Sequence, residues 1–315
     1  MSASRLDDLR TIDPVLTSIS QGYTNNAFIA EHLFPLVSVS KLKGKVPIFS
    51  KDAFIVRDTL RAVRADSNRI PPSSFDLVSF ETKERDVEMA IDYIEEEETV
   101  DFASYENQIT KQLVDSVSLA KEKEAADIAQ STGNYITALK KVLLSTEAFD
   151  DYASATDPLS IIKDGMNAVR ARIAKYPNTM VMGAKTFNAL SRHPKILDKI
   201  KYVGIGKATI DIIKELTDIP NIHVGLSVYT DDGIAFSDVW SDNIILAYID
   251  QNESGKRSEF NPSYGYTFQR QSMPEVDTYY ENGGKVKVIR YTDNYGLKVT
   301  ASDAAYLISH TNYNS

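Results

Sequence analysis

The run EHLFPLVSVSKLKGKVPIF, residues 31–49, poses the question that the rest of the chain has to answer. Leu33, Phe34, Pro35, Leu36 and Val37 form an apolar plug, Lys41, Lys43, Gly44 and Lys45 a basic and flexible patch, and Val46 to Phe49 a second apolar run. The last of these reads as a strand, and Pro47, which cannot donate to a ladder, puts that strand at an edge. Residues 17–26 upstream are polar, so residues 1–44 look like an arm laid over something else. Downstream, AFIVRDTLRAVRADSNRIPPSSF (53–75) carries Arg57, Arg61, Arg64 and Arg69, then the Pro71-Pro72 break. It holds too little apolar surface to bury itself. A loop this long is uncommon inside a compact domain and usually functional. FDLVSFETKERDVEMAID (75–92) resumes a strand-like pattern, and we read residues 45 to about 92 as a β-hairpin-like excursion that finds its partner outside its own core.

The clearest helix follows. Asp101 is an N-cap, and Tyr105, Ile109, Leu113, Val117 and Ala120 recur at helical spacing on one stripe. The segment KEKEAAD (121–127) extends it and Gly133 stops it. At 1.5 Å per residue this is a rod of about 45 Å, long for a globular helix and suited to a strut. From Asp157-Pro158, a helix start with Pro at its first position, the texture becomes alternating helix and strand. Ile162, Met166, Val169 and Ile173 share a face; TMVMG (179–183) is a buried strand; AKTFNALSRHPKILDKI (184–200) and TIDIIKELTDI (209–219) are helical; NIHVGLSVY (221–229) and DNIILAYID (242–250) are strands. The segment after 251 is strand-rich, with a hairpin turn at Asn282-Gly283-Gly284 and a second turn beginning at Asp293-Asn294. These strands lack a helix of their own, and the strut is the obvious cover. An α/β unit of residues 151–250 would then be inserted into a second domain.

Composition narrows the chemistry. The chain has 315 residues, room for two domains, and no cysteine, which excludes disulfides and thiolate sites. The first residues alternate charge with apolar positions, which argues against a secretory segment. A net charge of −9 disfavours tight duplex binding. The charge is uneven, with a basic surplus from Lys163 to Lys214 and an acidic one from Glu81 to Glu106. Two solvated faces would explain this, and so would a head-to-tail contact between unlike patches, the geometry from which rings grow. VGIGKAT (203–209) fails as a phosphate loop, because Lys201 stands where the first Gly is needed and Ala208 where Ser or Thr is. His32, His193, His223 and His310 lack metal-ligand spacing, and Asp231-Asp232-Gly233 lacks the later ligands of a calcium loop. No catalytic, cofactor or metal residues emerge. Tyr264, Tyr266, Tyr279, Tyr280, Tyr291, Tyr295, Tyr306 and Tyr313 crowd the C-terminal strands; Tyr suits strands generally, and some could face neighbouring subunits.

Taken together, AEHLFPLVSVSKLKGKVPIF (30–49), NTMVMGAKTFNALSRHPKILDKIKY (178–202), IHVGLSVYTDDGIAFSDVWSDNIILAYID (222–250) and PSYGYTFQRQ (262–271) resemble, in order, the tailed-phage major capsid proteins of the Hong Kong 97-type fold. The resemblance implies an α+β fold with an N-terminal arm (1–44), an E-loop (45–98), a peripheral domain built on a spine helix (99–150), an axial domain (151–250) and return strands (251–315). It implies a subunit that assembles into hexamers and pentamers around phage DNA, without sequence-specific binding or a membrane. A portal, a separate scaffolding protein and a cement protein would be its partners, and the virion, assembled in the host cytoplasm, its place. Arm and loop contacts would fall on Leu33, Phe34, Pro35, Leu36, Gly44, Val46, Phe49, Arg57, Arg61 and Arg64. Gly44, Gly133, Gly204 and Gly206 would flex, and Asp at Phe34 and Leu36 would leave folded subunits unable to close particles. The rival readings are an encapsulin-type nanocompartment shell and a soluble α/β hydrolytic enzyme built on residues 151–250.

Overall fold

The computed structural model describes residues 11–23, 25, 27–47, 60–61, 77–99, 101–153, 156–201, 207–252 and 263–313. In chain order the N-terminal half runs β1 (Thr11–Ile12), α1 (Pro14–Gly22), α2 (Ala30–Leu33), β2 (Leu36–Val39), β3 (Lys43–Pro47), β4 (Leu77–Glu81), β5 (Lys83–Asp92), α3 (Tyr93–Glu98), α4 (Phe102–Gln130) and β6 (Lys140–Val142). Then come α5 (Pro158–Ile173), β7 (Thr179–Gly183), α6 (Ala184–Arg192), α7 (Pro194–Ile200), α8 (Ile210–Thr217) and β8 (Asn221–Gly225). The chain continues through β9 (Val228–Tyr229), β10 (Ser237–Asp238), β11 (Asn243–Ala247), β12 (Gly265–Arg270), β13 (Glu275–Glu281), β14 (Val286–Val299) and β15 (Ala305–Ser309).

Two sheets share one long helix. The Asp101 carboxylate accepts the Ser104 N–H and starts α4, whose 29 residues give a rod of about 44 Å. Its first half presents Ile109, Leu113, Val114 and Val117 to Ile91, Val276, Ile289 and Tyr291 of a six-stranded sheet, in which β5 and β13 both pair with β14. Its second half presents Ala125, Ala126 and Ala129 to one face of a five-stranded sheet, against Val181, Ile245, Ala247 and Leu307. Small residues there let the helix approach closely. On the other face of that sheet, Met180, Met182, Ile244, Leu246, Tyr306 and Ile308 pack against α5 to α8 through Ile162, Val169, Leu190, Ile196 and Ile213. Both faces of β7, β11 and β15 are therefore buried, which explains their near-continuous apolar runs.

Several expectations change. The five-stranded order is β6-β15-β11-β7-β8, so the α/β unit draws β6 and β15 from outside residues 151–250. β15 pairs with β11 in antiparallel register and with β6 in parallel. β5 belongs to the six-stranded sheet along its full length, from Lys83↔Tyr295 to Asp92↔Val286, so residues 83–92 are not part of an excursion. The Asn282 turn forms, with φ of 51°, 70° and 93° at Asn282, Gly283 and Gly284. No turn occurs at Asp293-Asn294, because β14 runs through it and Gln269 holds the buried Asp293 carboxylate by its side-chain amide at 2.8 and 3.0 Å. The helical stretch 184–200 breaks at His193, whose ring Nδ1 caps Lys195 N–H while Pro194 starts the next helix. α4 stops at Gln130, with Ser131 extended, rather than through a left-handed Gly133.

Candidate assembly joint

Residues 29–47 cross from one sheet to the other, and their local chemistry differs along the way. Leu33 and Phe34 are 0% exposed. The Phe34 ring tilts against Tyr264 with centroids 5.5 Å apart, and it occupies the space a side chain at position 265 would need, since a Cβ on Gly265 would lie 2.6 Å from the ring. The Thr267 hydroxyl donates to Phe34 C=O at 2.9 Å, and its N–H to Pro35 C=O at 3.1 Å. β2 then joins β12 in parallel, Leu36 opposite Thr267. Beneath, the Tyr135 and Tyr264 hydroxyls meet at 3.0 Å, and burial pushes Tyr264 up to about 12. Each fully buried plug side chain contributes about 1.5–3 kcal/mol.

Glu122, which in the sequence reads only as part of the helix-extending segment KEKEAAD, is a tie between segments. It is 1% exposed. Its carboxylate accepts Ile29 N–H at 2.9 Å and the Trp240 indole N–H at 2.6 Å on Oε1, and Ala30 N–H at 2.8 Å on Oε2. Three separate segments thus meet on one side chain. Burial pushes this carboxyl up, against the pull of the three donors. About two turns further on, Gln130 accepts Ser241 N–H and Asn243 Nδ2–H on Oε1 at 2.8 and 2.9 Å and donates to Val239 C=O at 3.0 Å. The helix is fastened to the α/β unit at both points.

At the far end of the segment, β3 pairs with β4 from Lys43↔Glu81 to Pro47↔Leu77. Gly44, expected to flex, sits in this ladder because the Phe80 ring lies over it, 2.6 Å from where a Cβ would be. That ring stacks on Phe268 at 4.2 Å, and Val46 is buried with Tyr266 and Phe268. Lys43 pairs with Glu81 at 2.9 Å and Arg85 with Glu124 at 2.7 Å, both pairs reaching solvent. A cleft of about 710 Å³ opens between this pair, β14 and α4.

Of the residues assigned to contacts, Leu33, Phe34, Pro35, Leu36, Gly44 and Val46 come together in one crossing, and all but Leu36 and Gly44 are buried within the chain. Asp at Phe34 would therefore attack the fold itself, contrary to the expectation of folded subunits. Arg61 is exposed. Phe49, Arg57, Arg64, Gly204 and Gly206 lie outside the described residues. Of the tyrosines, Tyr264, Tyr266, Tyr291, Tyr295 and Tyr306 are core residues, while Tyr280 and Tyr313 are 65% and 47% exposed. The fold also pairs two histidines that sequence spacing kept apart. His32 and His223 stack with centroids 3.7 Å apart and planes 6° from parallel, and burial lowers His223 to about 4. Among the described residues, no three His, Cys, Asp or Glu side chains gather as a metal site would need, and no helix is long and apolar enough to cross a membrane.

Comparison with known proteins gives this geometry a context. The major capsid protein of Burkholderia phage BcepMu is 41% identical over 309 residues, covering 98% of this chain and 99% of that one. The crystal structure of a phage-related protein from Bordetella bronchiseptica superposes with a TM-score of 0.80 at 27% identity, over 96% of this chain and 98% of that one. The mature capsid of bacteriophage PhiM1 shares the fold at a TM-score of 0.55 and 13% identity, over 93% and 89% of the two chains. No family model matches.

Proposed function

The chain belongs to the phage major capsid proteins, and from that premise we propose that its copies assemble as hexamers and pentamers into the icosahedral shell enclosing phage double-stranded DNA. The observation that carries this is the 41% identity to a phage major capsid protein across nearly the whole of both chains. That likeness favours the phage shell over a nanocompartment, and a structural role over a hydrolytic one.

The parts take roles accordingly. The β3–β4 pair supports reading residues 48–76 as the E-loop, launched from the Gly44–Phe80 crossing onto a neighbouring subunit. α4 is the spine, and the six-stranded sheet is the peripheral domain. The five-stranded sheet with α5 to α8, closed by β6 and β15, is the axial domain at the centre of each capsomer. The residues up to Asp13 form the arm, while the plug at 33–36 fixes the arm's root inside its own subunit. The shell holds DNA without reading its sequence, consistent with the net charge of −9. Portal, scaffolding and cement proteins are its external partners, and the virion is its place. Size-exclusion chromatography of recombinant protein with negative-stain microscopy of the leading fractions tests the reading. Uniform shells, or rings of five and six, are expected; a lone monomer peak, even with the phage scaffold co-expressed, would overturn it.

A further inference from the structure

We propose that the cleft at the foot of the β3–β4 pair is a docking site for the acidic turn Tyr93–Glu98 of a second copy of the chain, a contact that rests on the assembly reading and names one of its joints. The cleft is lined by Lys43, Lys45, Lys83, Arg85 and Lys298 against only two acids, Glu81 and Glu124. Both acids already form ion pairs, with Lys43 and with Arg85, although Glu124 Oε2 accepts no hydrogen bond among the described residues. Lys45, Lys83 and Lys298 have no ion-pair partner among the described residues and are exposed.

A second observation points to a missing ligand. Tyr295 lines the cleft, is 0% exposed, and its hydroxyl has no hydrogen-bond partner among the described residues. The Arg85 Nε–H beside it, with the guanidinium 4.8 Å from the Tyr295 ring centroid, is likewise buried and unpartnered. Two buried donors left unmatched are costly and are ordinarily satisfied by something that binds. An acceptor of negative charge fits both, and a carboxylate supplies it.

The chain carries such a group in the complementary place. α3 presents Glu95, Glu96, Glu97 and Glu98 together with Tyr93 and Ile94, which are 44% and 49% exposed. Glu96, Glu97 and Glu98 have no ion pair among the described residues. The turn cannot reach its own cleft. β5 separates them, with Lys83 and Tyr295 at one end of the ladder and Asp92 and Val286 at the other. Its 10 residues span about 30 Å. Complementary patches at opposite ends of one rigid strand pair cannot satisfy each other within a subunit. Between subunits they propagate head to tail, which is the contact that closes a ring.

The test is charge reversal with rescue. Lys45→Glu combined with Lys298→Glu, and separately Glu96→Lys combined with Glu97→Lys, should each keep the wild-type unfolding midpoint while cutting the yield of shells at least ten-fold on sucrose-gradient sedimentation. The chain carrying all four changes should recover shells to within about three-fold of wild type. Normal shell yield from either reversed chain, or no recovery in the combined one, would overturn the contact while leaving the assembly reading intact. A wild-type chain that stays monomeric even with the phage scaffold co-expressed would instead take down the assembly reading, and this joint with it.

Discussion

The plug at residues 29–36 and the hairpin foot at residues 43–47 are separated by a few residues and solve opposite problems. At the plug every strong group finds its partner inside the chain: the Glu122 carboxylate takes three donors, Phe34 fills the space over Gly265, and Thr267 holds two carbonyls. At the foot the apolar contacts form one small cluster, Val46 and the Phe80–Phe268 stack beside Tyr266, and around it lysines, a tyrosine hydroxyl and an arginine N–H remain unmatched. Leu33 and Phe34 are 0% exposed and leave no polar group unmatched, so they offer a neighbouring subunit nothing to bind. The plug is where the fold is made, and the foot is where a neighbour can still be recognised.

The contrast can be broken most sharply at Phe34. Phe34→Asp puts an unpaired charge into a sealed site and should cost about 4 kcal/mol or more, read as loss of the cooperative urea transition or of soluble protein. Folded Phe34→Asp subunits that merely fail to assemble would return the plug to the interface. Next is Glu122→Gln, which keeps one acceptor oxygen but turns an amide N–H₂ toward the Ala30 N–H. A loss of about 2–3 kcal/mol in urea denaturation is expected at acidic pH. Because burial raises the Glu122 carboxyl in the folded state, the wild type gives up stability as pH climbs above the ordinary glutamate range, so the gap between the two should narrow there. Gly44→Ala tests the foot. The new methyl meets the Phe80 ring, which is itself held against Phe268, and a cost of about 1–2 kcal/mol is expected. The smallest effect is a pH dependence at the His32–His223 stack. His223 is lowered in the folded chain, so its contribution is whole above the normal histidine value and is lost as pH falls from about 6.5 toward about 4. The thermal midpoint should drop over that window, and His223→Gln should flatten the drop.

What could be read from the sequence was local. The Asp101 cap and its apolar stripe gave α4, Asp157-Pro158 gave α5, and the apolar run 179–183 gave a buried strand, because each signal lies within a few residues of what it specifies. What could not be read was decided at long range. The stretch 305–309 reads as a strand in either sheet, and only its pairing with β11 and β6 says which. Asp293-Asn294 carries turn chemistry that Gln269 and the β5 ladder override. Glu122 sits in KEKEAAD, where charge ordinarily means solvent, and nothing nearby announces that Ile29, Ala30 and Trp240 converge on it. The same distance hid the histidine stack.

β15 also gives the molecule a test of its own length. The strand lies between β6 and β11 in the interior of the five-stranded sheet, yet it is made on the order of ten seconds after β6 during synthesis. Until it arrives, β6 has no neighbour and β11 exposes an open edge. A copy truncated ahead of Ala305 therefore never completes this sheet and stays aggregation-prone and visible to proteases. Only chains translated past that point can complete the five-stranded sheet.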